Sequence, residues 1–234
     1  MQVLVITPTY NERDNLPDLV RAVLAREGYR MMIVDDNSPD GTGEVAEALA
    51  REFPDRVHVL HRTGPRGLGR SYIDGIRRAV EDPADVICQM DADWSHDPQY
   101  LPALVAATAT YDVVIGSRYL NGVSVVNWPL QRIILSAFAN RYIRAVTRLQ
   151  PSDCTSGYRC WKRETLASLP LGRVVSEGYA FLVEMLFQAA EHGATIGEVP
   201  IIFVERRKGV SKLSGSVILE SMLTPWRLVL RRRR

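Results

Sequence analysis

The regular alternation of short apolar runs with amphipathic segments constrains this chain more than any other feature. Residues 2–7, 31–34, 57–60, 86–90 and 112–116 are five nearly unbroken apolar stretches, too short for helices and rich in Val and Ile. Between them, apolar residues recur at helical spacing. Leu16, Leu19, Val20, Val23 and Leu24 mark a helix expected from Asp14 or Asn15 to Gly28. Further helices are expected up to about residue 53, up to about residue 80 and over 98–108. Strands that are apolar on both sides are covered on both faces, and strands that alternate with helices run parallel. The fold class is therefore α/β, with a mostly parallel central sheet and helices on both faces. Ligands bind such sheets beyond the carboxyl ends of the strands. The polar loops fall at that edge: residues 10–12, 35–36, 67–69 and 91–93, and Arg118.

Asp91-Ala92-Asp93 stands where the fourth apolar run meets the turn-forming Trp94-Ser95-His96-Asp97-Pro98. In extended backbone, residues two apart point the same way. Two carboxylates so placed repel unless one is protonated or a cation lies between them. Mg²⁺ or Mn²⁺ suits such a pair, because a hard ion takes one or two carboxylates and completes its shell with phosphate oxygens and water. Taken in isolation, the pair is better read as a solvated acidic loop, and only the rest of the chain favours the metal. The glycine loop Gly64-Pro65-Arg66-Gly67-Leu68-Gly69 has neither the P-loop ending nor the dinucleotide spacing, and reads either as a turn that lets backbone approach a ligand or as a purely structural turn. The four histidines form no cluster, and no Gly-x-Ser-x-Gly elbow is present for a serine hydrolase.

The net charge of +2 conceals an asymmetry. Residues 1–117 hold 11 Lys and Arg against 19 Asp and Glu (net −8), and residues 118–234 hold 18 against 8 (net +10). An acidic half suits a metal, and a basic half suits phosphates or an anionic membrane surface. No nucleic-acid motif accompanies the basic half. No apolar run reaches the ~18 residues of a membrane span, and Met1 leads directly into a strand, so neither a spanning helix nor a signal peptide is expected. Cys88, Cys154 and Cys160 are odd in number and lack metal-ligand spacing, which suggests a reduced, cytosolic setting.

After Trp128-Pro129, a long helix is expected over 130–149. Ile133, Ile134, Ala137, Phe138, Ile143 and Val146 are its apolar positions, and Arg132, Arg141, Arg144 and Arg148 its cations. Two readings stand: a basic amphipathic helix lying in a membrane interface, or a core-packed helix with an arginine-rich outer face. Arg132 and Ser136 are one turn apart and can hold one anion. Residues 153–159 read as a compact polar loop, 195–204 as strand material, and 205–212 as a basic loop suited to closing over phosphates. A last apolar helix is expected over 217–230, interrupted by Pro225, with a basic tail after it.

These motifs together resemble the polyprenol (dolichol) phosphate mannose synthases, inverting glycosyltransferases of the GT-A fold. The resemblance rests on Pro8-Thr9-Tyr10-Asn11-Glu12, on Asp35-Asp36-Asn37-Ser38-Pro39-Asp40-Gly41-Thr42 and on Met90-Asp91-Ala92-Asp93. It rests further on Gly116-Ser117-Arg118-Tyr119, Asp153-Cys154-Thr155-Ser156-Gly157-Tyr158-Arg159, and Glu205-Arg206 through Lys212-Leu213. It covers the chain to about residue 215. The first three motifs are common among GT-A enzymes, and the last two point to polyprenyl phosphate acceptors.

The resemblance implies a GT-A catalytic domain over 1–214, divided into a nucleotide-sugar half (1–117) and an acceptor half (118–214), with a C-terminal helix and basic tail over 215–234. It implies transfer of mannose from GDP-mannose to polyprenyl phosphate. The alternatives are another sugar, such as glucose, on the same acceptor, or a non-catalytic nucleotide-sugar binding subunit. Pro8, Tyr10 and Glu12 would contact guanosine, with Val34 and Asp36 lining the same pocket. Asp91 and Asp93 would hold Mg²⁺ or Mn²⁺, with the Ala92 backbone near the diphosphate. Ser95 occupies a place that is Gln in some relatives and is the expected third metal ligand. Arg118, Arg206 and Lys212 would bind the donor diphosphate or the acceptor phosphate, and Arg132 with Ser136 would seat the acceptor phosphate. The catalytic set so implied is Asp93, Arg118, Arg132, Ser136 and Arg206. The protein is expected to be peripheral at the cytoplasmic face of a membrane, held by the surface itself or by an integral membrane partner.

Overall fold

The structure, a computed structural model, describes residues 1–174, 176, 178–205 and 215–232. Its first half follows the expected alternation. Strands β1 (Val3–Thr9), β2 (Tyr29–Asp35), β3 (Val57–His61), β4 (Val86–Gln89) and β5 (Val113–Ser117) alternate with helices α1 (Leu16–Leu24), α2 (Thr42–Glu52), α3 (Leu68–Ala79) and α4 (Leu101–Ala107). A 3₁₀ turn, Pro98–Tyr100, leads into α4. Then come β6 (Val125–Val126), α5 (Leu130–Thr147), β7 (Arg159–Lys162), α6 (Arg163–Ser168), α7 (Gly178–Glu191), β8 (Ile196–Pro200), β9 (Phe203–Val204) and α8 (Gly215–Arg232).

The main sheet has seven strands in the order β3-β2-β1-β4-β7-β5-β8, and β6 pairs with β9 in a separate two-stranded sheet. Every pairing in the main sheet is parallel except those of β7, which runs antiparallel to both β4 and β5. Side chains alternate between the faces, and the core divides accordingly. Val3, Val5, Met31 and Ile33 pack with α1, α2 and α4, while Leu4, Ile6, Met32 and Val34 pack with α3 and α7. On the second face helix and sheet approach closely. A Cβ on Gly75 of α3 would lie 2.9 Å from methyl carbons of both Ile6 and Val34, so glycine is required there.

Several expectations are corrected. Helix α1 stops at Leu24 rather than Gly28, and Asn15 does not cap it, because its amide donates to Glu12 Oε2 at 2.7 Å. Residue 159 ends the expected polar loop and begins β7, a central strand. The strand material over 195–204 splits in two, and Pro200, which has no N–H, closes β8 at the edge of the main sheet. Helix α8 runs through Pro225.

The largest correction concerns α5. Its buried residues are Asn140, Ile143 and Thr147, while Leu130, Ile134, Leu135 and Phe138 are exposed at 69%, 60%, 47% and 65%. Ile134 and Phe138 therefore face outward, and a mixed side of the helix, with Ile143 in the core between Asn140 and Thr147, meets the protein. Helix α8 packs beside α5, with the Tyr142 hydroxyl donating to the Met222 carbonyl at 2.8 Å. Met222, Leu223, Trp226 and Leu230 of α8 are also exposed. Among the described residues, no helix is long and apolar enough to cross a membrane.

Candidate active site

The carboxyl ends of β1, β2, β4 and β5 open on one edge of the sheet and bring the expected loops together there. Three non-glycine residues on these loops adopt left-handed backbone: Asn11 (φ 61°), Asn37 (φ 58°) and Trp94 (φ 64°). Asparagine tolerates this conformation, whereas a bulky side chain adopts it at a cost of about 1–3 kcal/mol that the surroundings must hold in place. Trp94 does so between Asp93 and Ser95, where the chain folds back on itself.

In that turn the backbone N–H and hydroxyl of Ser95 both donate to Asp93 Oδ1, at 3.1 and 2.6 Å. Ser95 is 3% exposed. The Ser95 hydroxyl proton thus orients Asp93. Asp91 Oδ1 accepts from the Tyr72 hydroxyl at 2.9 Å. Tyr72 is fully buried, and burial together with the neighbouring Asp91 raises its pKa well above the phenol value, so it remains a donor. The backbone N–H of Asp91 donates to His96 Nδ1 at 3.0 Å. Burial pushes the His96 pKa down despite the pull of Asp91 and Asp93, which leaves a neutral ring with its proton on Nε2. His96 also stacks on Tyr158, with ring centroids 4.8 Å apart. Among the described residues no three acidic, His or Cys side chains converge as a metal cluster. The donor set is two oriented carboxylates, which matches a Mg²⁺-type ion that takes its remaining oxygens from a diphosphate and water.

On the nucleotide side, Pro8, Tyr10 and Glu12 line the β1 loop and are half-buried. The Arg66 guanidinium lies 4.8 Å over the Tyr10 ring and bonds its hydroxyl. Asp35 is structural, accepting from the hydroxyls of Thr9 and Ser38. Asp36 is buried, ion-paired with Arg62, and accepts the Gly67 N–H at 2.8 Å. That last contact explains the glycine loop, whose backbone docks on Asp36. Val34 corrects an expectation. It is 0% exposed and its side chain packs against α3, so only its backbone is near the pocket. Ala92 is likewise buried at 3%, and any ligand would meet its backbone.

On the acceptor side, Arg118 and Asp153 form a buried ion pair. The Arg118 backbone N–H, Nε and Nη2 donate to Asp153 at 3.0, 2.7 and 2.7 Å, and Nη2 also reaches Thr155 Oγ1 at 2.8 Å. Burial alone would raise the Asp153 pKa, but the charge and hydrogen bonds of Arg118 outweigh it and hold the carboxyl below its ordinary value. Nε and Nη2 of Arg118 are thus engaged by protein groups before any ligand arrives. Trp128 lies between two cations, with Arg118 at 5.5 Å and Arg132 at 3.9 Å from its ring centroid. Arg132 is ion-paired with Glu205. Ser136 is half-buried on the same side of α5, and its carbonyl accepts from Asn140 at 3.1 Å. Asn140 also takes the Cys154 N–H on Oδ1 and donates to Thr155 Oγ1, tying α5 to the loop that carries Asp153. Arg206 and Lys212 lie outside the described residues. Sequence reasoning missed Arg62, Tyr72 and Trp128 as parts of the site, since each is a lone residue without a motif.

A mixed, mostly parallel sheet with an acidic pair at the end of β4 and two arginines flanking Trp128 nearby defines a glycosyltransferase of the GT-A type. The sequence model of glycosyl transferase family 2 matches residues 4–169, and the chain belongs to that family. It is 47% identical over 223 residues to the polyprenol monophosphomannose synthase of Mycolicibacterium smegmatis, a match spanning 94% of this chain and 84% of the relative. It is 46% identical over 234 residues to the undecaprenyl-phosphate mannosyltransferase of Micrococcus luteus, spanning 99% of this chain and 96% of the relative. In fold it is similar to the crystal structure of glucosyl-3-phosphoglycerate synthase from Mycobacterium tuberculosis in complex with Mn²⁺, UDP and glucosyl-3-phosphoglycerate. The TM-score is 0.69 and the identity 17%, with 99% of this chain and 79% of that chain covered. The same enzyme crystallised with Mg²⁺ and UDP gives a TM-score of 0.66 at 17% identity, covering 99% of this chain and 79% of that one.

Proposed function

We propose that the protein transfers mannose from GDP-mannose to polyprenyl phosphate with inversion, at the cytoplasmic face of a membrane. The observation that carries this reading is the run of ring contacts His96–Phe203–Trp128, at 5.8 and 5.4 Å, that joins the loop of the two oriented aspartates to Arg132 of α5, in a chain 46–47% identical to two polyprenyl-phosphate mannosyltransferases.

The nucleophile is a phosphate oxygen, ionised near neutral pH, so the reaction needs no strong general base. His96, buried and bonded to the Asp91 backbone, serves to fix the loop. Asp91 and Asp93 would hold Mg²⁺ or Mn²⁺, which when bound neutralises the departing diphosphate. Tyr72 and Ser95 set the angles of the two carboxylates. Tyr10 and Glu12 with the Asp36–Arg62 pair would seat the nucleoside. Arg132 and Ser136 would hold the acceptor phosphate in line, supported by Arg118, Arg206 and Lys212. Leu130, Ile134, Leu135 and Phe138 would lie in the lipid interface and bring the acceptor's head group to the groove.

The test is transfer of radiolabelled mannose from GDP-mannose into extractable lipid, with UDP-sugars as parallel donors. Label is expected in lipid from GDP-mannose alone, is lost with EDTA, and is restored by Mg²⁺ or Mn²⁺. Asp93→Ala is expected to lower turnover by on the order of 10²–10³ or more while leaving the fold intact. Near-normal turnover of that variant with added metal would remove the metal assignment, and transfer from UDP-glucose in preference would replace the donor.

A further inference from the structure

We propose that the indole N–H of Trp128 is a further donor to the acceptor phosphate, held ready beside the arginines that the head group meets. This rests on the assignment of Arg132 to the acceptor phosphate made above.

Trp128 Nε1 is buried and has no hydrogen-bond partner among the described residues. Leaving a buried donor unpaired costs free energy, so such a group calls for a reason. Trp161, in the core, shows the ordinary solution: its Nε1 donates to Gln89 Oε1 at 2.8 Å. Trp128 differs in its neighbours. The guanidinium carbons of Arg132 and Arg118 lie 3.9 and 5.5 Å from its ring centroid, and the Phe203 ring stands edge-on at 5.4 Å. A guanidinium carries donors and no acceptor, and a phenyl ring has no lone pair to offer. The groups packed on this indole therefore cannot take its proton.

An oxyanion supplies what these neighbours lack. Arg132 donates through Nη1 to Glu205, and its Nε and Nη2 have no partner among the described residues. A phosphate monoester carries three terminal oxygens, enough to take donors from Arg132 and from the indole together. A water molecule would satisfy the indole but not the cation beside it. The guanidinium of Arg132 lies over the indole ring and restrains its rotation, so the direction of the N–H is set before a ligand arrives. The attacking nucleophile is one oxygen of the same phosphate, and a fixed donor on another oxygen holds it in line. Phe203 packs in turn on His96, with centroids 5.8 Å apart, and His96 takes the Asp91 N–H. The indole thus sits on the path of contacts that links Arg132 to the metal-binding loop.

The experiment compares the wild type with Trp128→Phe, Arg132→Ala and Trp128→benzothienylalanine, which keeps the bicyclic ring and puts sulfur in place of N–H. Both Trp128 variants are expected to lower kcat/KM for the acceptor by about ten- to hundredfold, the range for a hydrogen bond to a charged group, with donor KM unchanged. The urea midpoint of the benzothienylalanine variant is expected to stay or rise, because an unpaired donor adds nothing to the stability of the free protein. In N–H correlation spectra of the wild type, the Trp128 indole resonance is identified by its loss in Trp128→Phe. It is expected to move on addition of dodecyl phosphate, and not of dodecanol. Unaltered acceptor kinetics in the benzothienylalanine variant, a raised donor KM, a lowered urea midpoint as the only effect, or an indole resonance that answers to GDP and not to dodecyl phosphate would each overturn the proposal. If Arg132→Ala leaves acceptor kinetics unaltered, the earlier assignment of Arg132 fails and takes the proposal with it. If Arg132→Ala lowers acceptor kcat/KM and the Trp128 variants do not, only the role of Trp128 fails.

Discussion

Replacing Asp153 by Asn tests whether the acceptor side is held by a buried charge pair. Asn keeps the shape and one carbonyl acceptor but removes the negative charge. Arg118, 7% exposed, then keeps its positive charge but loses the carboxylate that accepts three of its hydrogen bonds. Breaking a buried pair from one side costs about 3–5 kcal/mol, out of the total of about 5–15 kcal/mol that a domain typically has. Arg118→Met leaves Asp153 with the backbone N–H of residue 118 and the N–H and hydroxyl of Thr155, but without its cation, and should cost a similar amount. The double variant Arg118→Met/Asp153→Asn removes both charges and should lie well short of the sum, with a coupling of several kcal/mol. Urea unfolding followed by the fluorescence of the four tryptophans measures all three differences. The sign with pH follows from the lowered pKa. A carboxyl held below its ordinary value stabilises the fold fully above its unfolded pKa, and that stability is lost as pH falls through the folded value. The gap between wild type and Asp153→Asn should therefore be flat near neutrality and shrink only below about pH 4, the ordinary carboxylate range. Asp153→Asn within about 1 kcal/mol of wild type, or strict additivity of the two substitutions, would refute the reasoning, because a penalty of the expected size requires an uncompensated buried charge.

Two further predictions concern the donor carboxylates and the apolar face. Tyr72→Phe removes the hydroxyl that orients Asp91 while leaving the ring packed on Phe181, whose centroid is 5.9 Å away. The metal concentration for half-maximal turnover should rise about ten- to hundredfold, as is typical when a residue supporting a metal ligand is lost; unchanged metal dependence would mean that Tyr72 only fills space. Ile134→Asp with Phe138→Asp places two charges on the exposed side of α5 and touches none of the groups at the acceptor groove. Sedimentation with anionic liposomes should weaken by roughly tenfold or more, given the loss of apolar area from the interface. Unaltered sedimentation would assign the membrane contact to another part of the chain.

What the sequence made legible, and what it hid, divides along a physical line. Strands β1, β2, β4 and β5 announce themselves because they are buried on both faces, β3 at the sheet edge does so by its short Val and Leu run, and the loops after the strands are readable because ligands gather at the carboxyl edge. Strand β7 is hidden because it begins with Arg159, a fully buried cation whose hydrogen bonds go to the carbonyls of Ser156, Leu182 and Cys154. Nothing local distinguishes such an arginine from one in a solvated loop, since its acceptors are backbone atoms that only the fold assembles. The pairing of Arg118 with Asp153 spans 35 positions and is equally invisible in a local reading.

Helix α5 shows a deeper reason for the hidden part. Periodicity states which residues share a side of a helix; it does not state which side faces the protein. The usual inference, apolar side inward, assumes that water is the only alternative environment. In α5 the inward side carries Asn140, which joins the Asp153 loop, and Thr147, whose hydroxyl donates to the Ile143 carbonyl. The apolar side carries Leu130, Ile134, Leu135 and Phe138, exposed together and continued by Met222, Trp226 and Leu230 of α8. A helix built this way is costly in water and sensible beside lipid, where the same four side chains leave the aqueous phase without entering the core. With its apolar side in lipid, as proposed, the orientation of α5 answers to a third phase, the membrane-interface reading that the residue pattern left open beside a core-packed one. It is also what places Arg132 at once against the groove and beside the apolar surface.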